Sequence, residues 1–405
     1  MNARSAKSAV ALISVLFLRS TAFAAGVREE IVSFTTHDDL EIQCILSFPD
    51  QGSGPFPGML LISGSGLHDA DVTLDVSTLR ITHGPQSLFK PLARYFSRQG
   101  WAVERCNKRG ASFGHADDRP EVLAGSTLDD LVEDAGTALE TLHEHPRVMA
   151  SPLVVLGHSE GTLIATELAL SNPEIDLLVL MGSVARRFDA LIEYQLVDRN
   201  LAFLRQAADA DGDGALTLNE LNLLDGNFGL GSVFVLNSAS ILFDSDRSLD
   251  SRLEVVGLNA KTDVDGDGRL HIAAEIEPAL RREAARFLQL AGDGSLGNYW
   301  QSMVEAGAPS SQIQRVQAPI LFVHGALDVQ TPVDEALALM AQLESRSRRD
   351  YDVLIFPILG HSLSRPNDFF KGDGGLTTLD NLTLNAPKPK TRRILLKRIE
   401  ANLGQ

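Results

Sequence analysis

Leu153-Val154-Val155-Leu156-Gly157-His158-Ser159-Glu160-Gly161-Thr162 decides how this chain is read. Four apolar residues run straight into Gly-x-Ser-x-Gly, and an apolar helical pattern, Thr162 to Leu170, starts at once. A short apolar run suits a strand buried on both faces of a parallel sheet. A serine between such a strand and a helix must sit on a very tight turn that lifts its hydroxyl above the sheet edge. Residues two before and two after it then come too close for side chains, which is the physical demand for Gly157 and Gly161. Ser159 is therefore the candidate nucleophile.

Further apolar runs surround this stretch. Pro57 to Ile62, Trp101 to Val103, Ile175 to Leu180, Pro319 to Val323 and Val353 to Phe356 read as strands. Leu128 to His143 and Lys390 to Ala401 read as helices, and residues 27–49 as a hairpin turning at His37-Asp38-Asp39. Strands alternating with helices predict an α/β fold with a mainly parallel sheet. From about 185 to 314 this rhythm stops, and the segment is read as a mostly helical cap inserted between two strands. The predicted organisation is 25–184 and 315–405 for the core and 185–314 for the cap.

A serine nucleophile needs a base, and the base needs an orienting acid. In this architecture the chain order is Ser, acid, His. Asp328 follows the strand ending at Val323, and His361 follows the strand ending at Phe356. Both lie beyond strand C-termini, where the chemistry of open α/β sheets gathers. Asp352 precedes its strand and belongs to the opposite end, and His324 comes before Asp328 and breaks the order. The developing oxyanion needs fixed N–H donors. These are assigned to the backbone of Glu160 and of Ser65, in the loop Ser63-Gly64-Ser65-Gly66, with Gly66 as the alternative to Ser65.

These residues give the chain its resemblance to the α/β-hydrolase superfamily, and within it to bacterial exported hydrolases described as serine-aminopeptidase-like or dienelactone-hydrolase-like. The resemblance rests on Leu61 to Gly66, Asn107-Lys108-Arg109-Gly110, Gly157 to Gly161, Gly325 to Asp328 and Gly360-His361, and covers roughly residues 30–185 and 315–403. It implies an eight-stranded sheet flanked by helices, a Ser159–Asp328–His361 triad, and action on esters or amides. Relatives often carry Asp where this chain has Asn107, a position outside the triad.

Two acidic loops lie in the cap. Asp209-Ala210-Asp211-Gly212-Asp213-Gly214-Ala215-Leu216-Thr217-Leu218-Asn219-Glu220 matches an EF-hand loop throughout. Asp209, Asp211 and Asp213, the Ala215 carbonyl and a bidentate Glu220 would supply most of the six to eight oxygens that calcium takes. In the second loop Asp263, Asp265, Asp267 and the Arg269 carbonyl hold the same positions. Its twelfth residue is Ala274, and Glu275 comes one residue late. That loop either binds calcium irregularly, with Glu275 shifted into place, or only pairs with the first through Leu270 and Leu216.

Arg4 and Lys7, the apolar run Ala9 to Leu18, and Ala22-Phe23-Ala24 have the layout of a secretory signal peptide over residues 1–24. This predicts export to a periplasm or the medium. The run is too short for a stable membrane span. Loss of the signal would take the formal charge from −17 to −20. So acidic a chain lacks the basic footprint needed for nucleic acid or anionic membranes. Cys44 and Cys106 are the cysteines, and either a bridge or two buried thiols fits their strand-like settings. No His-rich spacing suggests zinc. The expected activity is carboxylic ester hydrolysis. Peptide hydrolysis with Glu160 facing a substrate amine is the second reading, and a non-catalytic calcium module the third. The oligomeric state stays open.

Overall fold

The computed structural model describes residues 26–74, 86–221, 241–243, 257–364 and 387–404. Residues 1–24, predicted as a signal peptide, lie outside them. The hairpin forms as read: β1 (Val27–Thr35) pairs antiparallel with β2 (Glu41–Pro49). β3 (Phe56–Ile62) follows. A small antiparallel pair, β4 (Thr73–Leu74) and β5 (Gln86–Ser87), precedes helix α1 (Phe89–Arg98). Next come β6 (Ala102–Cys106), α2 (Pro120–Gly125), α3 (Leu128–Glu144), β7 (Val148–His158), α4 (Gly161–Ser171) and β8 (Leu177–Met181). Thr127 opens α3 with a capping box: its hydroxyl accepts the Asp130 N–H while the Asp130 carboxylate takes the Thr127 N–H.

After β8 the chain enters α5 (Phe188–Glu193). It continues through a π turn (Tyr194–Asp198), α6 (Arg199–Phe203) and a second π turn (Leu204–Ala208) directly into the first acidic loop. β9 (Ala215–Leu216) pairs antiparallel with β10 (Leu270–His271), setting Leu216 opposite Leu270. α7 (Glu277–Gly292), α8 (Asn298–Glu305) and α9 (Pro309–Gln312) lead back to β11 (Ile320–Gly325), α10 (Val333–Ser345), β12 (Tyr351–Phe356) and α11 (Pro389–Leu403).

The large sheet runs β1-β2-β6-β3-β7-β8-β11-β12. Pairing is antiparallel from β1 through β6 and parallel from β6 onward. Every residue of β8 and β11 is buried, as central strands covered on both faces require, whereas edge strand β12 is mostly half-buried. Side-chain alternation divides the core. Leu153, Val155, Leu178, Leu180, Ile320 and Phe322 pack with α3, α4 and α10. Val154, Leu156, Val179, Leu321 and Val323 pack with α1 and α11 on the other face.

Cys44 and Cys106 stand opposite each other on β2 and β6 and are joined in a disulfide. Between β8 and β11, Val197, Leu201, Leu216, Leu270 and Ile276 build a separate apolar core around the paired loops. Helix α8, which the sequence reading assigned to the cap, instead places Tyr299 and Met303 in the main core. Among the described residues, no helix is long and apolar enough to cross a membrane.

Candidate active site

Ser159 lies between the end of β7 and the start of α4 with φ +57°, a left-handed conformation that side chains rarely adopt. Its N–H donates to the Met181 carbonyl at 2.9 Å, fixing the turn to the end of β8. The glycine demand is met physically. A Cβ on Gly157 would fall 2.2 Å from the Gly161 carbonyl oxygen, and one on Gly161 would fall 2.3 Å from that of Ile62. A Cβ on Gly64 would meet the Ser159 Cβ at 2.9 Å, so the loop after β3 lies against the nucleophile turn.

Asp328 and His361 come together as the chain order predicted. His361 Nδ1 lies 2.7 Å from Asp328 Oδ2. The other carboxylate oxygen accepts the N–H groups of Gln330 (2.9 Å) and Thr331 (3.0 Å). Burial opposes charge on Asp328, but the neighbouring His361 and His324 outweigh it and hold the carboxyl well below the usual range. Gly325 lets the two loops cross: a Cβ there would lie 2.2 Å from the Leu359 carbonyl oxygen. The imidazole of His361 packs on Gly182, where an added Cβ would stand 3.0 Å from its Cε1. Ser159 and His361 thus flank the same β8 terminus.

Several surrounding residues were not anticipated as parts of the site. The Thr331 hydroxyl lies 3.1 Å from Asp328 Oδ2 and 3.2 Å from His361 Nδ1. His158 is buried beneath His361, with ring centroids 4.7 Å apart, and burial, followed by the neighbouring His361 imidazole, pushes its pKa well below the ordinary histidine range. His324, the alternative base, lies behind Asp328: its Nε2 is 2.6 Å from the Thr331 carbonyl oxygen and 3.4 Å from Asp328 Oδ2. Asp352 is taken up at the far end by Arg398 and Asn402.

Glu160 departs from its expected second role. Its side chain is not open to a substrate amine. It is buried, with Oε1 2.9 Å from Lys108 Nζ and Oε2 accepting the Tyr299 hydroxyl. Asn107, next to Lys108 in the chain, accepts the Ala70 N–H at 2.8 Å, a contact that ties the loop after β6 to the loop after β3. Arg109 forks between Asp134 and Asp38, pinning the same motif to α3 and the β1–β2 turn.

The cap touches the acid loop. The Tyr194 hydroxyl donates to the Val329 carbonyl (3.2 Å), the Gln195 amide to the Gln330 carbonyl (2.9 Å), and Arg199 Nη1 to Gln330 Oε1 (2.8 Å). Val329 packs on the cap core.

In the first acidic loop, carboxylate oxygens of Asp209, Asp211 and Glu220 lie within 4.8 Å of one another, as do those of Asp263, Asp265 and Glu275 in the second. The late glutamate is brought in by backbone geometry. Glu220 accepts the N–H groups of Ala210 and Thr217, and Glu275 accepts those of Val264 and His271, the equivalent loop positions. After His271 the exit helix opens with a π turn, Ile272–Ile276, whose extra residue carries Glu275 into register. Ala274 therefore does not take the twelfth-position role. Asp213 and Asp267 accept the N–H of Ala215 and Arg269, and Arg269 also pairs with Asp213 across the loops.

A family described as "Serine aminopeptidase, S33" matches residues 82–204, which span the nucleophile turn. The "Prolyl oligopeptidase family" matches 293–371, which hold Asp328 and His361. The chain has the α/β-hydrolase fold. It is 35% identical over 146 residues to Esterase EstD of Thermotoga maritima, covering 36% of this chain and 31% of that protein. The chain thus spans about a third of the length of the curated relative it matches. Among solved structures, the α/β-hydrolase GrgF of Penicillium sp. sh18 aligns with TM-score 0.47 at 16% identity, over 93% of this chain and 98% of that one. The Pyrococcus horikoshii acylaminoacyl peptidase aligns with TM-score 0.48 at 13% identity, over 93% and 42%.

Proposed function

We propose that this α/β-hydrolase is an exported serine esterase that cleaves small carboxylic esters through an acyl-enzyme. The observation that carries the reading is the joining of Asp328 to His361 at 2.7 Å beside a serine held at positive φ. Ser159 Oγ attacks the ester carbonyl carbon as its proton passes to His361 Nε2. Asp328 holds the Nδ1 proton and stabilises the imidazolium. The N–H groups of Glu160 and Ser65 take the oxyanion. On collapse, His361 returns the proton to the leaving alkoxide, and water repeats the sequence to release the acid.

Esters are favoured over peptides because the acid beside the nucleophile, Glu160, is already paired with Lys108 and offers no anion to a substrate amine. The peptidase reading keeps one support, the peptidase names of both matching families. Nitrophenyl esters of short and medium acids, set against aminoacyl anilides, separate the two. Turnover of esters alone, abolished in Ser159→Ala, is expected. Serine-dependent anilide cleavage at comparable kcat/KM would move the assignment to a peptidase.

The same proposal assigns calcium to both cap loops. Asp209, Asp211, Asp213, the Ala215 carbonyl and Glu220 would hold one ion, and Asp263, Asp265, Asp267, the Arg269 carbonyl and Glu275 the other. The donor set suits a hard cation that takes oxygen ligands. Among the described residues, Asp209 Oδ1 is buried without a hydrogen-bond partner, as an oxygen reserved for an ion would be. Calcium would offset repulsion among these carboxylates and stiffen the cap that grips the acid loop. It supplies no step of the chemistry.

A further inference from the structure

Two loops must deliver the oxyanion donors: the loop after β3, through Ser65, and the nucleophile turn, through Glu160. The β3–β7 backbone ladder ends at the Ile62–Gly157 pair, just before both loops, and donors must be in place before charge develops to be effective. One buried ammonium joins them. Lys108 Nζ donates to the Gly64 carbonyl oxygen and, at 2.9 Å, to Glu160 Oε1. Only 4% of the Lys108 side chain and 2% of the Glu160 side chain are exposed.

The Gly64 carbonyl and the Ser65 N–H belong to one peptide unit. A cation on that oxygen fixes the plane of the peptide and so the direction of the Ser65 N–H. It also draws electron density from the amide, which makes the N–H a stronger donor, as hydrogen bonds in series polarise one another. The Glu160 carboxylate compensates the buried charge. The cluster is closed from the inserted segment, where Tyr299 on α8 donates its hydroxyl to Glu160 Oε2. Its ring is buried, and α8 is docked on the core by Ser302, whose hydroxyl accepts the Leu128 N–H at 2.9 Å. The His68 carbonyl accepts the Lys108 N–H at 2.9 Å.

We propose that Lys108, Glu160 and Tyr299 form a buried positioning cluster that fixes the oxyanion-binding peptide against the nucleophile turn, with the insertion supplying its third member. This rests on the serine-hydrolase reading above. None of the three side chains touches the reacting atoms. They act through the Gly64–Ser65 peptide and the Glu160 N–H.

The test uses the full chain, with active sites counted by a fluorophosphonate so that rates are expressed per competent serine. Tyr299→Phe removes one hydroxyl, and the paired variant Lys108→Met/Glu160→Gln removes both charges together, leaving no lone buried ion. For nitrophenyl ester hydrolysis, kcat should fall about tenfold in Tyr299→Phe and about 10²-fold in the paired variant, with KM within twofold of wild type. Affinity for a trifluoromethyl ketone, which adds to the serine as a tetrahedral oxyanion, should fall by the same factors. A purely structural role would lower the melting temperature and the count of competent sites while leaving kcat per site and ketone affinity unchanged. That result in Tyr299→Phe and in whatever paired variant is recovered overturns the proposal. Absence of any Ser159-dependent turnover in the wild type overturns the hydrolase reading, and this proposal with it.

Discussion

Asp328→Asn tests the site at its most constrained atom. One carboxylate oxygen accepts two backbone N–H groups, from Gln330 and Thr331, and the other faces His361 Nδ1 at 2.7 Å. Asparagine keeps the shape but turns one oxygen into a donor. Aiming that NH2 at the two backbone N–H groups would leave both of them, and the NH2 itself, without an acceptor, at a cost of about 1–3 kcal/mol for each buried unsatisfied group. The amide therefore keeps its oxygen toward the backbone and turns its NH2 to His361. Nδ1 must then accept, the ring proton moves to Nε2, and the imidazole can no longer take the proton of Ser159. Loss of the acid's tautomer control costs about 10⁴ in kcat, equivalent to about 5.5 kcal/mol of transition-state stabilisation. The assay is ester turnover across pH with active-site counting, alongside urea melts to show that the variant folds. A folded Asp328→Asn enzyme within tenfold of wild-type kcat would refute the assignment of Asp328 as orienting acid.

Three further outcomes follow from the geometry. Ser159→Gly should be more stable than Ser159→Ala by about 1 kcal/mol or more, because glycine takes φ +57° without strain; equal urea midpoints would contradict the strained turn. Burial pushes the Glu104 carboxyl from 4.5 up to about 8, between Leu46 and Leu60 on the adjoining strands. A carboxyl raised in this way leaves stability intact below pH 4.5 and erodes it as pH rises through 8, so Glu104→Met should gain up to about 4 kcal/mol over wild type between urea melts at pH 5 and pH 8. Calorimetric titration should find two calcium ions per chain, falling to one in Glu275→Gln. A thousandfold excess over Kd should raise stability by about 4 kcal/mol per site, and a melting temperature indifferent to chelator would remove the metal from the cap.

The proposed triad was legible because its members are punctuation. Ser159, Asp328 and His361 each follow an apolar run at a strand's C-terminal end, and strand polarity alone puts such positions on one edge of a parallel sheet. The disulfide was only half legible: the strands bearing Cys44 and Cys106 could be read, but not that β2 and β6, far apart in the chain, are neighbours in register. Lys108 and Glu160 both stand in motifs that could be read, yet their pairing spans 52 residues and that of Glu160 with Tyr299 spans 139. A charged residue in an apolar strand-end motif is the available signal, and it marks a buried ion pair. Glu275 was out of register by count. Only the π turn, a feature without a sequence signature, restores it.

By itself, the sequence determined the parallel sheet, the strained serine turn, the order of acid and base, and the two acidic loops. Each of these depends on residues adjacent in the chain: apolar periodicity, glycine where Cβ cannot fit, carboxylates at fixed spacing. Tertiary structure decided what the site is made of beyond the proposed triad. Which buried charges neutralise one another, which loop peptide an ammonium orients, and where the insertion grips the acid loop all depend on segments meeting across the sheet edge. Those contacts are set by packing of the whole core, and no local pattern encodes them.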